Sequence, residues 1–540
     1  MKLTPVSRRL ALAAACVVSL PAVGRAAEEP PLELPKYTVT TERELPPPEA
    51  WHYARIGDIE VLSSASSTVS QSAANSLQDF IFALDIIWPG VRRDFGAPCV
   101  VVLCGRFGEF ERFQPDTPVD FGLTERFSVR RSPTQASIVL DQTIIQEPIT
   151  VLQRNYVNAL LSGLARKPAP WLTEGLTRLI AAVHVTENSI SLGQVIDPAG
   201  LNQIGGDFNV TLQAGALLPL PEFFSRTSST AIIADSSEAR WAAQCFAFVH
   251  WGLYGDYGKH QKEFLTFIQR LDRDPLTEAL FKECFKQDYR DMLQSLRNHV
   301  DFTRFKYAGV RSGKGEKIPW PAAAELREAT QAEVGRLQAT AFTLAERPGE
   351  ARDVLLMAYL RGERDPALLA ALGEGEAHGG DPIKARKLLE AAAAAKVVRP
   401  RAYVELARLR LEAARTKPEA AAGKLSAKQT AAVLEPLFTA RSQPPALPET
   451  YELIAAAWAA CIIAPSPAQL AVLDEGVRLF PRNAALVYAD AELQARAGQI
   501  ATAESLIRHG LRVAADAGLL AKFEHLRAGL PANPAAPAKS

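Results

Sequence analysis

Two neighbouring stretches hold the residues whose types and spacing could do chemistry: "LQRNYVNALL" at 152–161 and "WLTEGLTRLIA" at 171–181. Arg154 and Asn158 are four residues apart, so on a helix they share one face a single turn from each other. Asn155 sits beside them, and Glu174, on the helical stretch that follows, is expected to project toward the same place. A helix that holds zinc uses this spacing for two imidazoles, with a carboxylate next to the first to activate water. The residue types here do different chemistry. Guanidinium has no lone pair to give a metal, an amide is a poor zinc ligand, and Asn155 cannot take a proton from water as a carboxylate does. The expected arrangement is an ion pair from Arg154 to Glu174, with Asn158 donating a further hydrogen bond. Tyr156 and Trp171, next to these positions, are candidates for lining a cleft.

No other constellation in the chain competes. The eight histidines include no pair four apart, and His250 within "CFAFVHWGLY" reads as a core residue. Ser64 and Ser162 lack a Gly-x-Ser-x-Gly elbow, and no phosphate-cradling Gly-Lys-Ser/Thr loop occurs. Phe223, Phe224, Trp241, Phe246, Phe248 and Trp251 are most economically core.

The two stretches together resemble the gluzincin, or peptidase-MA-like, metallopeptidases. "WLTEGL" matches that group's second motif with Glu174 at the ligand position, and "LQRNYVNALL" aligns without a gap on its HExxH helix. The resemblance implies zinc ligands at 154, 158 and 174 and a general base at 155. Arg154, Asn155 and Asn158 break that set and only Glu174 survives, so the zinc site is expected to be lost and no cofactor is expected. The resemblance covers about residues 51 to 303 and implies a zincin-like domain.

The elements that position these residues read as an α+β fold. The stretch "ARIGDIEVLSS" alternates like a strand, and apolar residues from Ala73 to Ile87 recur at helical spacing. "PCVVVLCG" has the length of a buried strand, and "RFSVRR" and "ASIVLD" flank a turn as a hairpin. This small sheet occupies 51–145, and helices follow over 146–303. Residues 304–321 read as a linker. From 322 to 527 the composition shifts to Ala, Leu, Arg and Glu in helical hairpins, an all-α repeat domain. Tyr488, Leu493, Gly498 and Ala503 resemble the packing positions of a tetratricopeptide repeat, which implies a surface for a protein or peptide partner. Residues 528–540 read as a disordered tail.

The first 27 residues have the charged start, 14-residue apolar run and small residues of an export signal. The following 28–50, rich in proline, read as a linker or surface-hugging arm. The five cysteines beyond the signal read as buried small hydrophobes, with Cys99 and Cys104 on opposite faces of one strand and unable to bridge. Lys plus Arg and Asp plus Glu are 60 each, so no net charge drives nucleic-acid binding. The expected protein is exported, to the periplasm, the bacterial cell envelope or the outside, without an integral membrane domain after signal removal. Its expected role is a catalytically inactive, peptide- or protein-binding scaffold whose old cleft still takes an extended peptide by strand addition. Alternatives are an active hydrolase with an atypical site and a purely structural helical-repeat adaptor.

Overall fold

The computed structural model describes residues 33–37, 45, 47–87, 98–116, 126–143 except 133, 148–162, 168–192 except 182, 217–226, 236–301 except 272–273, and 308–531 except 314–315, 418 and 420–422. Residues 1–27, expected to form an export signal, lie outside the described residues. The architecture is α+β. "ARIGDIEVLSS" forms two strands rather than one, β1 (His52–Ile56) and β2 (Ile59–Ser63), because Gly57 takes φ 57° and turns the chain between them. Helix α1 (Ser67–Ile87) leads to β3 (Cys99–Cys104), the short α2 (Glu109–Arg112), and the hairpin of β4 (Phe127–Arg131) and β5 (Ala136–Asp141). Strands β2, β3 and β5 are parallel neighbours.

Alternation along these strands sends side chains to two separate cores. Val61, Val101, Leu103 and Ile138 face Leu77 and Phe80 of α1 and Leu152 and Tyr156 of α3 (Pro148–Ser162). Leu62, Val100, Val102 and Val139 face the other way. Being covered on both sides, β3 and β5 are buried at every position.

The helical half has a core of its own. Helix α4 (Pro170–Ala181) is followed by the hairpin β6 (His184–Thr186) and β7 (Ser189–Leu192), then α5 (Leu220–Ser225), α6 (Ser236–Tyr254), α7 (Gln261–Leu271), α8 (Glu278–Phe285) and α9 (Tyr289–Asp301). Trp171, Phe223, Phe248, Phe264, Phe267 and Phe281 pack together at its centre. The stretch 304–321, expected as a linker, carries strand β8 (Ala308–Arg311), which pairs with β7. Strand β9 (Arg327–Glu328) then pairs with β1, giving the six-stranded order β4-β5-β3-β2-β1-β9.

Helix α10 (Gln331–Leu344) covers the second face of the sheet: Val334, Leu337, Ala341 and Phe342 join Leu62, Val100, Val102 and Val139 in one core. The repeats are therefore built onto the sheet. They continue as α11 (Pro348–Leu360), α12 (Pro366–Gly379), α13 (Pro382–Ala394), α14 (Pro400–Thr416), α15 (Ala427–Arg441), α16 (Pro448–Ala460), α17 (Pro467–Leu479), α18 (Ala484–Arg496), α19 (Ile500–Val513) and α20 (Ala517–Gly529). Proline at the first turn opens six of them, from α11 to α14 and at α16 and α17, where its missing N–H removes no helical bond. Tyr488 packs edge-on against Phe523 at 5.3 Å, Leu493 and Ala503 are buried, and Gly498 turns the chain at φ 77°. Helix α20 runs to Gly529, so the expected tail starts later than 528, and its remainder, 532–540, lies outside the described residues. Cys99, Cys104, Cys245, Cys284 and Cys461 are buried and free.

A polar clamp fixes the repeats to the sheet. Arg336 of α10 donates to both oxygens of Glu60 at 2.7 and 2.5 Å, and the Tyr53 hydroxyl donates to the same carboxylate at 2.9 Å. Burial pushes Glu60 up, yet the bidentate bond to Arg336 outweighs it and holds the carboxyl below its usual range. Replacing Arg336→Ala is expected to cost about 3 kcal/mol at pH 7, because a largely buried carboxylate loses its cation. A lowered pKa stabilises the fold above the ordinary carboxylate range and ceases to do so as pH falls through it. The gap between wild type and variant, measured by denaturant unfolding, should therefore shrink between pH 5 and pH 3.

Asp490 of α18 behaves in the opposite sense. It is fully buried, and the Gln494 amide donates to it at 3.2 Å and to Asp474 of α17 at 3.4 Å. Burial and the adjacent Asp474 push Asp490 up to about 7. A raised pKa makes the protonated form the one the fold prefers, so this stabilisation is complete below about pH 4 and is lost as pH rises through 7. Asp490→Asn should leave the melting temperature at pH 5 nearly unchanged and raise stability at pH 8 by roughly 1–3 kcal/mol.

Candidate functional site

Helices α3 and α4 belong to different cores, and the expected site lies on the seam between them. Leu152, Tyr156, Val157 and Ala159 hold α3 beneath the sheet. Trp171, Leu172 and Leu179 hold α4 in the aromatic core. Gly175 lets α4 approach α6 closely, since a Cβ there would sit 2.5 Å from the Cys245 carbonyl oxygen and 2.5 Å from Val249 Cγ2. The glycine after Glu174 thus sets how deeply the carboxylate is held.

Glu174 is 17% exposed and is bound by two guanidinium groups. Arg178, one turn further along α4 and 16% exposed, places Nε 2.5 Å from Glu174 Oε1. Arg154 of α3, 37% exposed, reaches the same oxygen with Nη2 at 3.4 Å. Burial pushes the Glu174 carboxyl up, but Arg178 and then Arg154 overcome this and hold it below its usual range. The carboxylate is an anion pinned between two cations.

The expected ion pair of Arg154 with Glu174 is therefore present, as the longer and more exposed of two. The second donor to Glu174 is Arg178 and not Asn158, whose side chain is exposed on α3. Arg178 stands at i+4 from Glu174, a spacing at which opposite charges on a helix meet, and that local signal was available in "EGLTR". Asn155 is buried and turns back on its own helix, donating Nδ2 to the Val151 carbonyl at 2.9 Å. Tyr156 and Trp171, candidates for lining a cleft, are core residues. Tyr156 is buried edge-on against Phe80 at 6.0 Å, and Trp171 is fully buried among Phe224, Phe248 and Phe267. Each sits on the apolar stripe of its helix, where burial outweighs any use at a surface.

The remaining candidates are structural. His250 is fully buried, with Nδ1 3.0 Å from Nε2 of His299, and burial lowers His299 to about 4. Ser64 accepts from the Gly105 N–H at 2.8 Å and donates to the Glu109 carboxylate, tying the ends of β2 and β3 together. Ser162 has no described side chain. Among the described residues, no group of three or more His, Cys, Asp or Glu side chains is placed to hold a metal ion. Among them, too, no helix is long and apolar enough to cross a membrane.

No protein-family model matches the chain, and no curated protein matches it. The site has to be interpreted from its own chemistry.

That chemistry makes the two arginines unequal. Arg178→Ala removes the shorter, better-buried partner and is expected to destabilise by about 2–3 kcal/mol. Arg154→Ala removes a guanidinium that is more than a third exposed and screened by water, and should cost less than about 1 kcal/mol. Thermal unfolding of the two variants at pH 7 checks the order, and a larger loss for Arg154→Ala would reverse it.

Proposed function

We propose that this chain is an exported, catalytically inactive metallopeptidase-like protein that serves as a peptide- or protein-binding component of the cell envelope. The observation that carries the proposal is the state of Glu174. Its carboxylate is engaged by Arg178 and Arg154, while the positions that would supply two imidazoles and a base hold Arg154, Asn158 and Asn155. Zinc, which the resemblance implies, does not fit this set. Guanidinium repels the ion, the amides bind it poorly, and the one carboxylate is already neutralised. Without metal and general base, conventional hydrolysis loses its nucleophile and the group that would activate it.

Binding remains open to the fold without metal. Strand β4 forms one edge of the sheet beside α3, the place where an extended peptide would add a strand through its backbone. The hairpins α10 to α19 offer further surface of the kind that stacked repeats present to partners. Balanced charge argues against nucleic acid as the partner.

The test is the metal content of the full chain after zinc loading and desalting, read by elemental mass spectrometry. Less than about a tenth of an equivalent is expected from a site without zinc ligands. Near one equivalent would overturn the reading and return the chain to the active hydrolases.

A further inference from the structure

The proline-rich arm before the sheet does more than connect. Residues 33–37, "ELPKY", lie on the first repeat hairpins. Pro35 is buried, and its carbonyl accepts from the Tyr359 hydroxyl of α11 at 2.9 Å. Tyr37 stands edge-on to the Tyr359 ring at 5.5 Å, and Lys384 of α13 places its ammonium 4.6 Å from the Tyr37 ring centre. Arg364 lies over the Tyr359 ring at 3.9 Å and donates to that residue's carbonyl at 2.6 Å, which fixes the tyrosine as a platform. Leu34 and Tyr37, three residues apart, both pack against the core, while Glu33 and Lys36 point to water. Three residues per turn is the period of polyproline II, the conformation proline-containing ligands bring to aromatic surfaces.

The seat also carries a chemical preference. The Tyr37 hydroxyl lies beside Glu376 of α12, and burial together with that carboxylate pushes the phenol above its usual range. Glu376 is itself buried and held by Arg352 at 2.8 Å and by the Asp381 N–H at 3.0 Å. The geometry itself selects for an aromatic ring at this position, set edge-on to Tyr359 with the Lys384 ammonium over its face. Among the described residues the strap is held by one hydrogen bond from Tyr359, an aromatic pair, a cation over a ring and the packing of Leu34 and Tyr37. Contacts of this kind hold a tethered segment, whose effective concentration is about millimolar, and yield to a free ligand that adds more.

We propose that the surface shared by α11, α12 and α13 is a binding site for extended peptides in which a proline is followed two residues later by tyrosine. Residues 33–37 are its resident occupant and regulate access to it. The inference rests on the binding-protein reading above and names where the peptide sits: on the repeats, away from Glu174.

The experiment uses the full chain and a fluorescein-labelled peptide of residues 31–39, followed by anisotropy. Tyr37→Ala in the chain weakens the resident strap, so this variant should bind the peptide at least ten-fold tighter than wild type. The same peptide with alanine in place of its tyrosine should bind at least five-fold more weakly. Equal binding to both chains, or indifference to the peptide's tyrosine, overturns the proposal. If Tyr37→Ala proves poorly folded, Lys36→Cys carries a nitroxide on an otherwise unaltered strap, at a side chain that is 89% exposed. Excess unlabelled peptide should then mobilise the label, and an unchanged spectrum overturns the proposal. Failure in these assays leaves the zinc measurement untouched, so the two readings fail separately.

Discussion

Strands β3 and β5 carry apolar side chains on both faces, and a sheet of that kind must be covered twice. One cover, α1 with α3, comes from the sequence on either side of these strands. The other is α10, the first helix of the repeats, more than 200 residues away from β3. Everything else follows from that demand. The chain has to return to the sheet before the repeats begin, which it does through β9, after β8 has joined the smaller sheet beside β7. The clamp between Arg336 and Glu60 then locks the second cover in place. The boundary between sheet and repeats is a shared core.

The same demand places the site. With α3 pinned under the sheet and α4 drawn into the aromatic core by Trp171, the seam between them brings Glu174 within reach of Arg154. A carboxylate held there, with Gly175 pressed against α6, needs a compensating charge. Arg178 supplies most of it from the same helix and Arg154 adds to it from the preceding helix, α3. The site is thereby an ion cluster held in the seam between the two cores.

Much of this was legible in the residues alone. The strands at Cys99–Cys104 and Ala136–Asp141, the helices around Arg154 and Glu174, and the hairpins beyond residue 330 announce themselves by strong apolar periodicity. What periodicity does not encode is which helix meets which sheet face, so the role of α10 and the two-residue strand at Arg327–Glu328 had no sequence signal. Gly57 hid a turn inside an alternating run because either side of it alternates equally well. Tyr156 and Trp171 look like cleft residues when seen beside polar neighbours, but each is on the buried stripe of its helix. At the site, the Arg154 contact follows from comparing positions across two helices. The stronger Arg178 contact follows from a local i,i+4 rule, outside the pattern of ligand positions.

The central claim is that the Glu174 carboxylate is committed to arginine. A double-mutant cycle on Glu174→Gln and Arg178→Met, followed by denaturant unfolding at pH 7, isolates that pair from the packing each side chain also contributes. The account predicts a coupling of about 2 kcal/mol, with the double variant nearly as stable as the less damaging single one. A coupling within about 0.3 kcal/mol of zero would contradict it, because it would leave Glu174 free to serve another ligand.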